Sequence, residues 1–298
     1  MASKHKGGAG IKIYNAIIFT VLGLYCASLI FLIVWMLYTS FKSAVDYALN
    51  TFGLPEMWII ENYTEVFRLL KIKVSTARGI VQYNMLDMAV FSIVRSVGTS
   101  VIMVFTQTCV AYILSKYKFV GNKFIYTLGI VVMVIPIVGN LPSAMLVRKA
   151  LGIYDNLALF ILTSPSVIFG LHFLVLYGAF KSIPWSYAEA AFIDGAGHYT
   201  VMFRIMLPMM LPTCVALFVL DFLSTWNDYM THLVWLPSYP NLAYGMYRFQ
   251  YDATGGNSSV TTPMILAGFT IVMIPTVALY GGLQSIIMKQ LNVGGLKG

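Results

Sequence analysis

Charge is what this sequence has least of. Aspartate, glutamate, lysine and arginine make up 10% of 298 residues, 11 of them acidic and 19 basic. A soluble domain carries about 25% charged residues, so a soluble globular fold is excluded. Cysteine is nearly absent as well. Cys26, Cys109 and Cys214 all lie in apolar runs, and their odd number and spacing exclude a disulfide framework or a metal motif. They read as small hydrophobes. His5, His172, His198 and His232 are scattered, so no metal site is expected. There is no Gly-x-x-x-x-Gly-Lys-Ser/Thr phosphate loop, so this chain does not bind ATP by that device. The Gly-x-Ser-x-Gly nucleophile elbow is missing too, and no catalytic residues are assigned. The net charge of +8 is spread along the chain without a dense basic patch, which argues against nucleic acid. Lysines at the cytoplasmic edge of a membrane protein explain it.

What is present is apolar. Fifty-nine per cent of residues are hydrophobic and the mean hydropathy is +0.79, as in a polytopic, all-α membrane protein. A span takes about 20 predominantly apolar residues, so charge-free runs measure the spans. Residues 1–12 are polar and basic, and no charge follows from Ile13 to Phe41. A secretory leader has an apolar stretch of only about 7–15 residues, so this run is expected to stay as a span. The later runs are Ser96–Ser115, Phe124–Val147, Asn156–Phe180, Ile205–Leu220 and Ala253–Met288. Allowing the second and fifth helices to pass Arg95 and Asp221, one membrane domain over 1–298 is expected. Its six spans fall near 13–41, 88–115, 124–147, 156–180, 205–233 and 263–288. Pro136 should kink or break the third.

With the amino terminus inside, four crossings return the chain to the inside before Lys181. Lys4, Lys6, Lys12, Lys116, Lys118, Lys123, Lys181, Arg204, Lys289 and Lys297 then lie inside. Most acids fall outside, though with several basic residues, so the positive-inside bias is modest. In the exterior segment 42–86, Pro55 and Trp58-Ile59-Ile60-Glu61-Asn62-Tyr63 suggest a short interfacial helix, and Lys71 to Gln82 a loop.

A polar island interrupts the apolar runs at residues 181–204. Pro184 suits a first helical turn, Ala188, Glu189, Ala190 and Ala191 continue it, and Gly195 with Gly197 ends it. At about 100° per residue, Trp185, Ala188 and Phe192 share one face, Glu189 flanks it, and Asp194 falls opposite. The island is thus a short amphipathic helix followed by a glycine corner.

Glu189-Ala190-Ala191, then Gly195, nine residues, and Ile205-x-Leu207-Pro208 resemble the "EAA" signature of ABC importer permeases. Asp194-Gly195-Ala196 is similar to the form found in the sugar importers. Ala111-Tyr112, Gly121, Ile135-Pro136, Leu151-Gly152 and Trp226-Asn227-Asp228 sit where that family places them, as does Glu61-Asn62-Tyr63 after the first span. The resemblance implies the type I permease fold, six transmembrane helices with a cytoplasmic coupling helix between helices 4 and 5. It implies a multi-pass protein of a bacterial or archaeal cytoplasmic membrane, both termini inside. It also implies partners: a second, non-identical permease, two copies of an ABC ATPase that hold the ATP and magnesium, an extracytoplasmic solute-binding protein, and a carbohydrate. Trp185, Ala188 and Phe192 would fill a cleft on the ATPase. Glu189 would pair with a basic residue there, and Ala190, Ala191, Asp194 and Gly195 complete the coupling set. The outer loop after the fifth span, from Leu236, would reach toward the binding protein. The glycine-rich tail 289–298, with Gly294, Gly295 and Lys297, resembles that of maltose-type permeases, which extends between the ATPase subunits.

Ionisable residues within spans are functional candidates. Arg95, near the outer end of the second span, either snorkels to the interface or faces the path. Asp221 is mid-span and either pairs with the companion permease or lines the path. Asn227 and Asp228 lie nearer the outer mouth, in reach of sugar hydroxyls. A charged substrate, such as a glycerol phosphate ester or an acidic oligosaccharide, is the alternative, with Arg95 and Arg148 as its ligands. An ion-coupled secondary transporter would show inverted repeats and paired midplane acids, and neither is evident.

Overall fold

The structure, a computed structural model, describes residues 9–76, 79–135, 139–164, 169–255 and 259–294. The chain divides into two units, residues 1–69 with 249–271, and residues 70–248 with 272–298.

In the first unit, α1 (Ala9–Thr39) is apolar on all sides and its side chains from Ile11 to Val34 are exposed. In water such a surface would be untenable; in lipid it is solvated by acyl chains. Two short helices follow, α2 (Ala44–Leu49), capped by the Ser43 hydroxyl, and α3 (Glu61–Leu69). They are fastened to the end of α1 by polar contacts. Asn62 donates to the carbonyls of Ser40 and Lys42, both at 2.8 Å. The Tyr63 hydroxyl meets Ser40 Oγ at 2.6 Å, and the Trp35 indole donates to the Thr51 carbonyl at 3.0 Å. Phe41 packs on Trp58 and Tyr63. The helix expected at Trp58 starts three residues later, at Glu61. Trp58 and Ile60 precede it and are exposed.

In the second unit, where Lys71 to Gln82 is expected as loop, β1 (Lys71–Thr76) and β2 (Gly79–Asn84) pair antiparallel, in register from Lys71 opposite Asn84 to Thr76 opposite Gly79. Ile72 and Val74 are buried while Lys71, Lys73 and Ser75 are exposed, the period-2 pattern of a half-buried strand. A capping box, Asn84 with Asp87, then starts α4 (Met85–Lys116), whose 32 residues run about 48 Å at 1.5 Å per residue.

The third and fourth apolar runs are each divided. The third holds α5 (Asn122–Val134) and α6 (Leu141–Ala150); the fourth holds α7 (Leu157–Leu162) and α8 (Leu171–Ser182). None of the four is long enough to cross a bilayer alone. Pro136 lies outside the described residues. The island carries α9 (Ser186–Ile193) and α10 (His198–Thr200). A π-helical stretch, Val201–Met206, leads into α11 (Leu207–Trp226), where Pro208 and Pro212 remove two backbone donors. The remaining helices are α12 (Tyr229–Val234), α13 (Leu242–Thr254) and α14 (Thr262–Gly294). Among the described residues four helices are long and apolar enough to span: Ile11–Thr39, Met85–Lys116, His198–Trp226 and Thr262–Met288.

The core of the second unit lies where α4, α8 and α11 meet. Ala111 and Tyr112 of α4, Phe173, Leu176 and Phe180 of α8, and Met210, Cys214 and Leu217 of α11 are buried together. Small residues on α4 let its neighbours close in: Thr108 lies 3.6 Å from the Cys214 sulfur of α11, and a Cβ on Gly98 would sit 3.2 Å from Ile161 of α7.

Candidate functional site

The loop between α8 and α11 is built around α9. Its carboxyl end is a Schellman closure. Ala196 N–H donates to the Ala191 carbonyl at 2.9 Å and Gly195 N–H to that of Phe192 at 3.0 Å. Gly195 sits at φ +81° with nothing near its missing Cβ, so the backbone angle, not crowding, calls for glycine there.

The orientation of α9 turns part of the expected docking stripe inward. Ala188 is fully buried and Ala191 nearly so, in the same core as Tyr112, Phe180 and Met206. Trp185 and Phe192 pack on that core and on each other, ring centres 6.1 Å apart. Tyr117 stands edge-on to Trp185, and its hydroxyl shares a 3.0 Å hydrogen bond with His198 Nδ1. The His198 ring in turn contacts Phe192 at 4.9 Å. Of the Trp185, Ala188, Phe192 face, Ala188 is thus buried in this chain's own core, while Trp185 and Phe192 are half-buried against it. What α9 presents outward is Tyr187, Glu189, Ala190, Ile193 and Asp194, all exposed, with Ile193 at 85%.

A second cluster joins α4 to the junction of α11 and α12. Arg95 is 5% exposed, and its Nη2 meets Asp228 Oδ2 at 2.7 Å. Its Nη1 points to the carbonyls of Thr225 and Asp228, at 3.3 and 3.4 Å. Asp228 also caps α12, accepting from Thr231 N–H at 3.0 Å, and its carbonyl accepts from Asn241. Burial raises the Asp228 carboxyl; the hydrogen bonds from Thr231 and the charge of Arg95 outweigh it, leaving the group below its ordinary range. Arg95 is thus buried and ion-paired within this chain. Asn227 is exposed, with its amide donating to the Leu223 carbonyl at 2.9 Å.

Asp221 differs from these. It is 9% exposed, and its Oδ2 is buried without a hydrogen-bond partner. On α8, His172 Nδ1 is likewise buried and unpartnered. Sequence reading passed over His172 because a lone histidine in an apolar run carries no spacing signal. Another residue stands out near these elements: the Arg148 guanidinium is held between the rings of Phe160 and Trp235, 4.7 and 4.8 Å from their centres. Among the described residues, no group of three or more His, Cys, Asp or Glu is arranged to hold a metal. At the carboxyl terminus α14 continues through Gly294, so the expected tail begins as helix; Gly295 and Lys297 lie outside the described residues.

Comparison with known proteins agrees with this architecture. Residues 107–292 match the family described as binding-protein-dependent transport system inner membrane component. The chain is 29% identical to the inner membrane ABC transporter permease protein YcjP of Escherichia coli, covering 93% of this chain and 96% of that one. It is 24% identical to the diacetylchitobiose uptake system permease protein NgcG of Streptomyces coelicolor, over 94% and 88%. It is 29% identical to the probable starch degradation products transport system permease protein AmyC of Thermoanaerobacterium thermosulfurigenes, over 88% and 89%. A crystal structure of a bacterial ABC transporter that imports the acidic polysaccharide alginate superposes with a TM-score of 0.74 at 19% identity, over 96% of this chain and 98% of that one. The family match, the long apolar helices and the EAA loop between α8 and α11 agree: this chain is a membrane-embedded ABC importer permease and belongs to the family of binding-protein-dependent transport system inner membrane components.

Proposed function

We propose that this chain is one of two non-identical permeases of an importer for a sugar or oligosaccharide, delivered by an extracytoplasmic binding protein and driven by a separate pair of ATPase subunits. The observation that carries the reading is α9. One face is fixed to the core through Ala188 and Ala191, and the other presents Tyr187, Glu189 and Ile193 with no partner side chain among the described residues. A short helix anchored on one side and open on the other can pass motion from a soluble partner to α4, α8 and α11, which share its core. Ile193 and Tyr187 supply apolar area for docking and Glu189 supplies orientation. Hydrolysis of ATP belongs to the partner. The EAA loop faces the cytoplasm, and both termini lie on that side. Gly294, Gly295 and Lys297 belong to a tail that contacts the ATPase subunits.

The carbohydrate substrate is supported by the relatives named for diacetylchitobiose and starch degradation products. Asp221, buried with an unmatched oxygen, serves the path between the two permeases, with Asn227 nearer the mouth. A charged substrate retains one supporting observation, Arg148, whose Nη1 lacks an acceptor; Arg95 is already paired. Uptake competition with neutral and acidic oligosaccharides separates the two.

The reading is tested by mild-detergent purification of the tagged chain. A second multi-span protein and a Walker-motif ATPase should co-elute, and the ATPase should be lost from the Glu189→Ala, Ile193→Ser variant. A chain that elutes alone and transports in vesicles without ATP would overturn it.

A further inference from the structure

The turn joining α4 to α5 lies beside the end of α8, at the end of the helices that carries the EAA loop. A cavity of about 710 Å³ opens there. Lys118, Lys123 and Lys181 line it, and no acidic residue does. An adjoining cavity of about 630 Å³ shares Lys118 and Lys181 and adds Lys116. Lys116 is occupied, its ammonium donating to the Ile183 carbonyl beyond α8. The other three are exposed. Lys181 Nζ lies 5.9 Å from the centre of the Tyr177 ring.

This cluster is held in place. Asn122 Nδ2 donates to the carbonyls of Tyr117 and Leu114, at 2.7 and 3.1 Å, closing the turn from within. Gly121, at φ +93°, permits it. Gly121 has no side chain to cap α5, so the positive end of that helix is open toward the same space. The lining is apolar as well as basic: Phe119 and Phe124 are 43% and 70% exposed. Three ammoniums with no carboxylate favour an anion, and phosphate in particular. Exposed phenyl rings beside them favour a ligand with an acyl end.

We propose that this cavity binds the phosphate of an anionic phospholipid headgroup from the cytoplasmic leaflet, with Lys118, Lys123 and Lys181 as its ligands. The sidedness rests on the reading of the EAA loop as cytoplasmic; the lysine cavity does not. A lipid seated there bridges the turn after α4 to the end of α8, just ahead of α9, and so steadies the base from which the coupling helix projects.

The test reconstitutes the full-length chain into nanodiscs of equal phosphatidylcholine and phosphatidylglycerol and weighs the retained lipid by native mass spectrometry after detergent release. Retained phosphatidylglycerol should exceed phosphatidylcholine by about tenfold, each lysine contributing to the preference. The triple variant Lys118→Gln, Lys123→Gln, Lys181→Gln should lose that preference, and the triple arginine variant should keep it. Equal retention of the two lipids, or a glutamine variant that holds phosphatidylglycerol like the parent, overturns the proposal. Displacement of the lipid by millimolar inorganic phosphate would assign the cavity to a soluble phosphate instead. Unchanged lipid with loss of the co-purifying ATPase would assign the lysines to that protein. Lipid retention needs no ATPase, so this proposal and the coupling reading fail separately.

Discussion

Arg95 and Asp228 are 133 residues apart in sequence and 2.7 Å apart in space. Their ion pair fastens the first third of α4 to the loop that ends α11, and Asp228 caps α12 with its other oxygen. One carboxylate thus organises three elements where membrane surroundings make an unpaired charge costly.

Removing one partner should cost more than removing both. Asp228→Asn leaves the Arg95 guanidinium buried without its counter-charge, and we expect a loss of about 3 kcal/mol. Arg95→Met together with Asp228→Asn should recover part of that loss, read as the thermal unfolding midpoint in detergent. The pH dependence has a definite sign. Asp228 lies below its unfolded value, so its contribution is complete above about pH 4 and declines as pH falls through the lowered native value. Parent and Asp228→Asn stabilities should converge in acid and differ by a constant amount from pH 5 to 8.

The two faces of α9 should respond differently. Ala188 has no exposed surface, and Ala188→Leu should overpack the core at a cost of about 1–3 kcal/mol. Glu189→Ala should leave the unfolding midpoint in place while lowering substrate-stimulated ATP hydrolysis in the assembled complex. If hydrolysis is unchanged in the Glu189 variant, Glu189 has no coupling role.

Gly195→Ala tests the corner. No atom obstructs a Cβ, but φ of +81° remains, so the strain should be about 1 kcal/mol. Gly195→Asn should cost less. Retention of the ATPase on a tagged column should follow the same order, with the parent highest, asparagine next and alanine last.

Asn62→Ala removes a donor shared by two carbonyls, Ser40 and Lys42. The loop after α1 should loosen by about 1–3 kcal/mol, visible as faster proteolysis within residues 42–60. Asp221→Asn should act oppositely, sparing stability and assembly while lowering uptake. Normal uptake in that variant would remove Asp221 from the path.

Much of this chain was legible as sequence. Spans need only composition over a length set by the bilayer, and α1, α4, α11 and α14 follow from long apolar runs, those of α4 and α11 carried past Arg95 and Asp221. The EAA loop was legible because its anchors are close in sequence and its corner needs a glycine. The hairpin could have been read from Lys71 to Ser75, where polar and apolar residues alternate, but few flanking signals separate six-residue strands from loop. Only the tertiary structure decided which neighbour each side chain meets. A helical wheel groups Trp185, Ala188 and Phe192 but cannot say whether they face a partner or their own core. In the fold, Ala188 is buried in one core with Tyr112 and Phe180 of other helices. Nor can spacing find Arg95 and Asp228, because a charge pair is defined by distance in space, and distant parts of the chain meet only once α4 and α11 have packed.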